Sequence, residues 1–258
     1  MLWEAGTLGI HVSASEAYAQ LLAYFEDRHD IEMDLRASLT PLGAEIDRAA
    51  VPSVDWVARF REGFRAFQVG PFRIVPDWDP HPEQASTPPA RVLRVDPGQA
   101  FGTGTHETTQ LCLLALAELA RAAPLGRVLD LGAGTGILGI AAAKLGARIV
   151  VALDNDPEAI ASARRHASLN GVSIALIVGD GAAALSRGHF DLVLANITAA
   201  MLCERRDEIA ALRGKGARLI LSGFLLSDLP DIQASYAPLG RLDVRTAGEW
   251  AAVVVDRS

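Results

Sequence analysis

The 258-residue chain is predicted to be an α/β protein, with strands and helices alternating around a largely parallel sheet from Arg91 onward. Three observations predict it. Apolar runs of strand length recur between segments whose apolar residues follow helical spacing. A glycine-rich turn, Gly132-Ala133-Gly134-Thr135-Gly136, joins one such run to one such segment. Asp156-Pro157 sets a capping acid before a proline suited to a first helical turn.

Thr108 and Thr109 open a helix over residues 110–119. Residues 128–131 form a short buried strand, and 137–145 the helix after the glycine turn. Residues 148–153 make the next strand, followed by a helix that starts at Asp156 and stops at Asn170-Gly171. Strands at 173–178, 190–195 and 217–222 follow, with one helix over 199–212 between the last two. Two more strands, 242–246 and 250–255, close the chain. Ligands of such a sheet bind beyond the carboxyl ends of its strands, where the strand order reverses.

The first third is less regular. Residues 8–12, 19–25 and 43–46 read as short strand-like and helix-like pieces, while 54–64 place large apolar groups at helical spacing. Five of the thirteen prolines fall at 76, 80, 82, 88 and 89, so residues 76–90 read as an extended connection. The expected organisation is a small domain over 1–70, a linker over 71–95 and the α/β domain over 96–258.

Half of the residues are hydrophobic and only 21% are charged, which excludes an extended disordered chain. Cys112 and Cys203 lack C-x-x-C or Cys/His spacing, so neither a disulfide framework nor a metal site is expected. The most apolar stretch, 128–153, is interrupted by Asp130, Lys144 and Arg148, against a membrane span. Acids stand at the N-terminus where a secretory leader carries bases, and a cytoplasmic monomer is expected. The net charge of −7 lies wholly in residues 1–90, which hold 14 acids and 7 bases, whereas the remainder balances at 17 of each. Such a face disfavours direct nucleic-acid binding and suits a basic partner, though solubility alone explains it as well.

The candidate site lies at the strand ends. The glycine turn reads G-x-G-x-G, unlike the G-x-G-x-x-G of dinucleotide folds. With the cluster Phe101-Gly102-Thr103-Gly104-Thr105-His106-Glu107-Thr108-Thr109 ahead of it, the turn points to S-adenosylmethionine. Gly132 and Gly134 let a ligand lie against the backbone. Asp154, twenty-two residues beyond Gly132, can accept hydrogen bonds from both ribose hydroxyls, whereas Asp156 suits a helix cap. Asp180 can meet the adenine amino group or simply belong to a turn. Asn196 ends the fourth strand, where its amide oxygen can orient an accepting amine, or it is a turn asparagine. A free lysine has a pKa near about 10.4, so its neutral form costs roughly 4–5 kcal/mol at pH 7. A nearby positive charge and desolvation reduce that cost, and no dedicated general base is identified. Phe101 and His106 belong to a lid on the substrate side, with His106 open to either a catalytic or a structural role. Trp250 reads as core or pocket wall.

These motifs, with Asp96-Pro97-Gly98-Gln99-Ala100 before the first cluster and Gly248-Glu249-Trp250 near the end, resemble the PrmA family of methyltransferases. That family acts on large-subunit ribosomal protein eleven. The resemblance runs from about Val54 to the C-terminus. It implies a Rossmann-like seven-stranded methyltransferase sheet, joined by a linker to a small α+β substrate-recognition domain. It further implies trimethylation of lysine ε-amines and of the target's N-terminal amine. By motif match Thr109, Gly132, Asp154 and Asn196 become cofactor contacts, with Asn196 also reaching the amine. The family places a strand and a helix before the segment resembling residues 2–10, so the recognition domain is expected to be truncated, whether trimmed or reduced. Three other readings fit less of the sequence: a methyltransferase for another protein or a small amine, a non-catalytic nucleoside-binding module, and an NAD-dependent oxidoreductase.

Overall fold

The computed structural model describes residues 7, 9–14, 19–25, 29–49, 64–79, 88, 91–96, 102–181 and 185–256. The chain divides into two compact units, Met1–Val54 and Asp55–Ser258.

In the first unit β1 (Gly9–Ala14) pairs antiparallel with β2 (Ala19–Tyr24). The Thr7 hydroxyl donates to the Tyr24 carbonyl at 2.9 Å. Helix α1 (His29–Leu39) follows and passes into a 3₁₀ turn, Thr40–Leu42, that Gly43 ends at φ 76°. Glu32 meets Arg36 and Arg48, each at 3.1 Å, and these hydrogen bonds hold its carboxyl below the usual range. Residues 19–25, ambiguous in sequence, are thus essentially a strand, and 43–46 form no regular element. Most of the helical pattern at 54–64 lies outside the described residues.

Among the described residues of the second unit, the first sheet is three-stranded: β3 (Phe67–Val69), β4 (Phe72–Pro76) and β5 (Val92–Val95). Strand β4 runs antiparallel to β3 and parallel to β5. These strands occupy the end of the stretch read as a small domain and both ends of the stretch read as a linker. Their apolar residues are the reason: Val69, Phe72, Ile74, Leu93 and Val95 are buried in one core with Leu113 and Leu116.

Seven strands make the large sheet: β6 (Arg127–Leu131), β7 (Ile149–Asp154), β8 (Ala175–Val178), β9 (Phe190–Asn196), β10 (Arg213–Leu225), β11 (Arg241–Ala247) and β12 (Trp250–Asp256). Their order is β11-β12-β10-β9-β6-β7-β8, parallel from β10 to β8, with β12 antiparallel to both neighbours. The α-helices among the unit's described residues are α2 (Glu107–Ala122), α3 (Ile137–Lys144), α4 (Pro157–Leu169), α5 (Ala199–Glu204), α6 (Arg206–Leu212) and α7 (Leu229–Tyr236). The helix expected over 199–212 is two, broken at Arg205, and β10 is longer than expected at both ends.

Strand alternation sorts the core into two layers. Val128, Leu192, Leu194, Ile220 and Val254 face α2 and α3, while Leu129, Val193, Ala195, Leu219, Leu221 and Val253 pack with Leu202, Ile209, Ile232 and Tyr236. Helix α4 begins as its sequence requires, with the Asp156 carboxylate accepting from Glu158 N–H at 2.8 Å. Its C-terminal end closes the free edge of β5. Asn170 Oδ1 accepts from Arg94 N–H at 2.9 Å and Nδ2 donates to Arg94 O at 2.7 Å, an amide standing in for a further strand. Among the described residues no helix is long and apolar enough to cross a membrane.

Candidate active site

The chain leaves β6 for β7 on one side of the sheet and later returns to β9 on the other. The ends of β6 and β9 therefore flank the point where strand order reverses, and both candidate motifs lie there. After β6 the turn is built from backbone. Gly132 and Ala133 both donate to Leu153 O, at 2.9 and 3.1 Å, and Gly136 N–H donates to Ala133 O at 2.7 Å. Gly132 has φ 70°, and a Cβ on it would stand 2.4 Å from Ile197 Cγ2. A side chain here is excluded twice, by backbone conformation and by the segment after β9.

Asp154 ends β7 beside this turn. Its Oδ2 accepts from Gly134 N–H at 2.9 Å and its Oδ1 from Asp156 N–H at 3.0 Å. Each oxygen thus spends one lone pair on the protein and keeps acceptor capacity for a further donor. The carboxylate holds the turn in shape and can grip a diol with the same two atoms.

Asp130, on β6, was not singled out from the sequence. It is almost fully buried, and Oδ2 accepts from Gly139 N–H at 2.8 Å. Burial pushes its carboxyl up to about 7, the Gly139 bond opposes that, and the Asp154 charge adds to the rise. A charged residue among the buried apolar positions 128–131 was the signal available in sequence.

Asn196 stands at the end of β9. Its Nδ2 donates to Thr109 Oγ1 at 3.4 Å, across eighty-seven residues of chain, and Thr109 is itself buried in the first turn of α2. Asn196 Oδ1 is buried with no hydrogen-bond partner among the described residues. An unsatisfied buried carbonyl costs about 1–3 kcal/mol, which a donor arriving from a ligand recovers.

The residues before α2 form a compact loop. His106 is the N-cap: its Nδ1 accepts from Thr108 N–H at 3.3 Å and lies 2.8 Å from Thr108 Oγ1. Its ring stands edge-on to Trp250, with centroids 4.6 Å apart. That is the structural alternative for His106, and it places Trp250 at the loop. The Thr135 hydroxyl donates to Gly102 O at 2.6 Å, joining this loop to the glycine turn. Neither the sequence position of Thr135 nor its type named that partner. Phe101 lies outside the described residues.

Asp180 is already engaged. Its Oδ1 stands 2.6 Å from an Arg205 nitrogen, and this hydrogen bond holds the carboxyl below its usual range. The side chain is exposed, and its second oxygen keeps acceptor capacity for a further donor. Cys112 is buried, and burial followed by the Asp130 charge pushes its thiol up to about 12, so it is inert as a nucleophile. The described residues contain no group of three or more side chains suited to a metal ion.

Comparison with known proteins follows the same lines. A family model described as ribosomal protein L11 methyltransferase (PrmA) matches residues 6–258. A ribosomal protein L11 methyltransferase of Geobacter sulfurreducens is 41% identical over 203 residues, covering 78% of this chain and 65% of that protein. One from Myxococcus xanthus is 36% identical, covering 100% of this chain and 92% of its own length. Among solved structures, a ribosomal protein L11 methylase from Lactobacillus delbrueckii subsp. bulgaricus superposes with a TM-score of 0.67 at 36% identity. That match covers 76% of this chain and 100% of the other.

Proposed function

This chain belongs to the ribosomal protein L11 methyltransferase (PrmA) family, and from that premise we propose that it transfers methyl groups from S-adenosylmethionine to lysine ε-amines, and to the N-terminal amine, of ribosomal protein L11. The observation that carries the reading is the buried, unpartnered Oδ1 of Asn196 at the reversal point of the sheet. The residues fit the cofactor on two counts of this structure. Gly132 leaves a bare backbone where a Cβ would collide with Ile197, and the Asp154 carboxylate retains acceptor capacity at the adjoining strand end.

In this proposal Asp154 accepts from the ribose hydroxyls and the turn around Gly132 and Gly134 lies along the methionine part. When bound, S-adenosylmethionine would supply an electrophilic methyl group for a neutral amine, leaving S-adenosylhomocysteine, with the surplus proton of the new ammonium released to water. Thr109 fixes the Asn196 amide by taking its N–H, so that Oδ1 points its acceptor at the incoming amine. A hydrogen bond from the amine to Oδ1 orients the nitrogen lone pair, and alignment supplies much of the acceleration. The Asp154 carboxylate, half-buried beside the turn, favours the positively charged donor over its neutral product. Asp180, held by Arg205, is assigned to the adenine amino group, and Phe101 and His106 to the substrate side of the site. The net −7 of residues 1–90 suits a basic ribosomal protein as acceptor, and that substrate places the reaction in the cytoplasm.

The test is mass spectrometry of purified ribosomal protein L11 after incubation with the chain and S-adenosylmethionine. Mass gains in steps of one methyl, mapped to lysines or the N-terminus, are expected. Labelling of some other protein in a total lysate, with L11 unmodified, would remove the ribosomal assignment while leaving the chemistry.

A further inference from the structure

The loop at residues 102–106 and the glycine turn at 132–136 meet through one side chain. Thr135 is fully buried, between Gly134, whose N–H is held by Asp154, and Gly136, where α3 begins. Its Oγ1 donates to Gly102 O at 2.6 Å. Gly102 has φ 104°, and a Cβ there would come within 2.7 Å of the same hydroxyl, so the two backbones approach as closely as a side chain allows. The other end of the loop is pinned independently. His106 caps α2 and stands against Trp250, and Gln110 Nε2 donates to Thr105 O at 3.0 Å. Gly104 sits where a Cβ would be 2.4 Å from Ile74 Cδ1. The strand-to-helix turn itself makes no use of the hydroxyl, because its own hydrogen bonds run through backbone and Asp154.

We propose that Thr135 is a positioning residue for methyl transfer: its hydroxyl latches the substrate-side loop onto the cofactor turn, so that a filled turn holds the loop in its working place. The inference rests on the methyltransferase reading above. The latch acts through Gly102 and touches neither reactant. Its contribution falls on the catalytic step, since the groups that grip the nucleoside remain when the hydroxyl is removed.

Thr135→Val keeps the shape and removes the donor, and Thr135→Ser keeps the donor. Both are compared with wild type by calorimetric binding of S-adenosylhomocysteine and by steady-state transfer of labelled methyl to ribosomal protein L11. The Val variant is expected to bind S-adenosylhomocysteine within about twofold of wild type while kcat falls about tenfold, roughly what one lost buried hydrogen bond produces. The Ser variant is expected to recover most of the rate. Amide hydrogen exchange over residues 102–106 should quicken in the Val variant and return toward wild type in the Ser variant. A Val variant with wild-type kcat and exchange overturns the latch alone. So does a loss of affinity equal to the loss of rate, or a Ser variant no better than Val. A wild-type chain that bound no S-adenosylhomocysteine would instead overturn the methyltransferase reading beneath it.

Discussion

Replacing Asp154 by alanine is expected to weaken S-adenosylhomocysteine binding by about 1–3 kcal/mol, or roughly 5- to 150-fold. The magnitude follows from what the carboxylate does. Its two oxygens already accept from Gly134 and Asp156 N–H groups, at 2.9 and 3.0 Å, and the proposal adds the ribose hydroxyls to the same atoms. Hydrogen bonds to a charged group contribute more than neutral ones, but water replaces part of what the mutation removes, which sets the range. The substitution also releases the glycine turn, so some loss will appear as lowered stability of the free protein. Isothermal calorimetry with S-adenosylhomocysteine measures the first effect and urea unfolding the second. Asp156→Ala separates them. It removes a helix cap, about 0.5–2 kcal/mol of stability, yet keeps the backbone N–H that Asp154 holds, so binding should stay within about twofold. Affinity in Asp154→Ala within twofold of wild type, with the fold intact, would refute the ribose assignment.

Asn196→Ala should lower kcat about a hundredfold, about 2.7 kcal/mol of barrier, while S-adenosylhomocysteine affinity falls less than tenfold; equal losses in both would make Asn196 a binding residue only. Asp130 yields a pH signature. Its carboxyl is raised by burial in the folded state to about 7 from the ordinary 3.8, so the folded chain holds a proton that the unfolded chain releases. Its effect is therefore absent below about pH 4, and stability falls as pH rises from there to about 7, then levels. Asp130→Asn should flatten that part of the urea-unfolding profile of the free protein, and an unchanged slope would show that Asp130 does not titrate as argued.

Much of the large sheet could be read because its signals are local. Apolar runs marked six of its seven strands within a residue or two at most ends, and β10 extended beyond its run at both ends. Asp156-Pro157 and the glycine turn are likewise conflicts settled within a few residues, by capping and by φ. The misses have a different character. Strands β4 and β5 pair across the proline-rich stretch, and their burial comes from α2 rather than from any local pattern. The helix expected over 199–212 breaks at Arg205, whose side chain reaches Asp180.

The candidate site divides in the same way. Residue type and position at a strand end were enough to name Asp154 and Asn196, because parallel sheets present strand ends to ligands. What those residues hold depended on three-dimensional neighbours. Thr109 stands eighty-seven residues from Asn196, Gly102 thirty-three from Thr135, and Arg94 seventy-six from Asn170. The protonation of Asp130 likewise follows from burial, which no residue possesses by itself. Sequence alone determined the chain's local geometry and the chemistry each residue offers, since both arise from a residue and its near neighbours. Which lone pairs are spent, which remain open and which acid keeps its proton to higher pH were decided only when folding brought distant groups within hydrogen-bonding reach and excluded water around them.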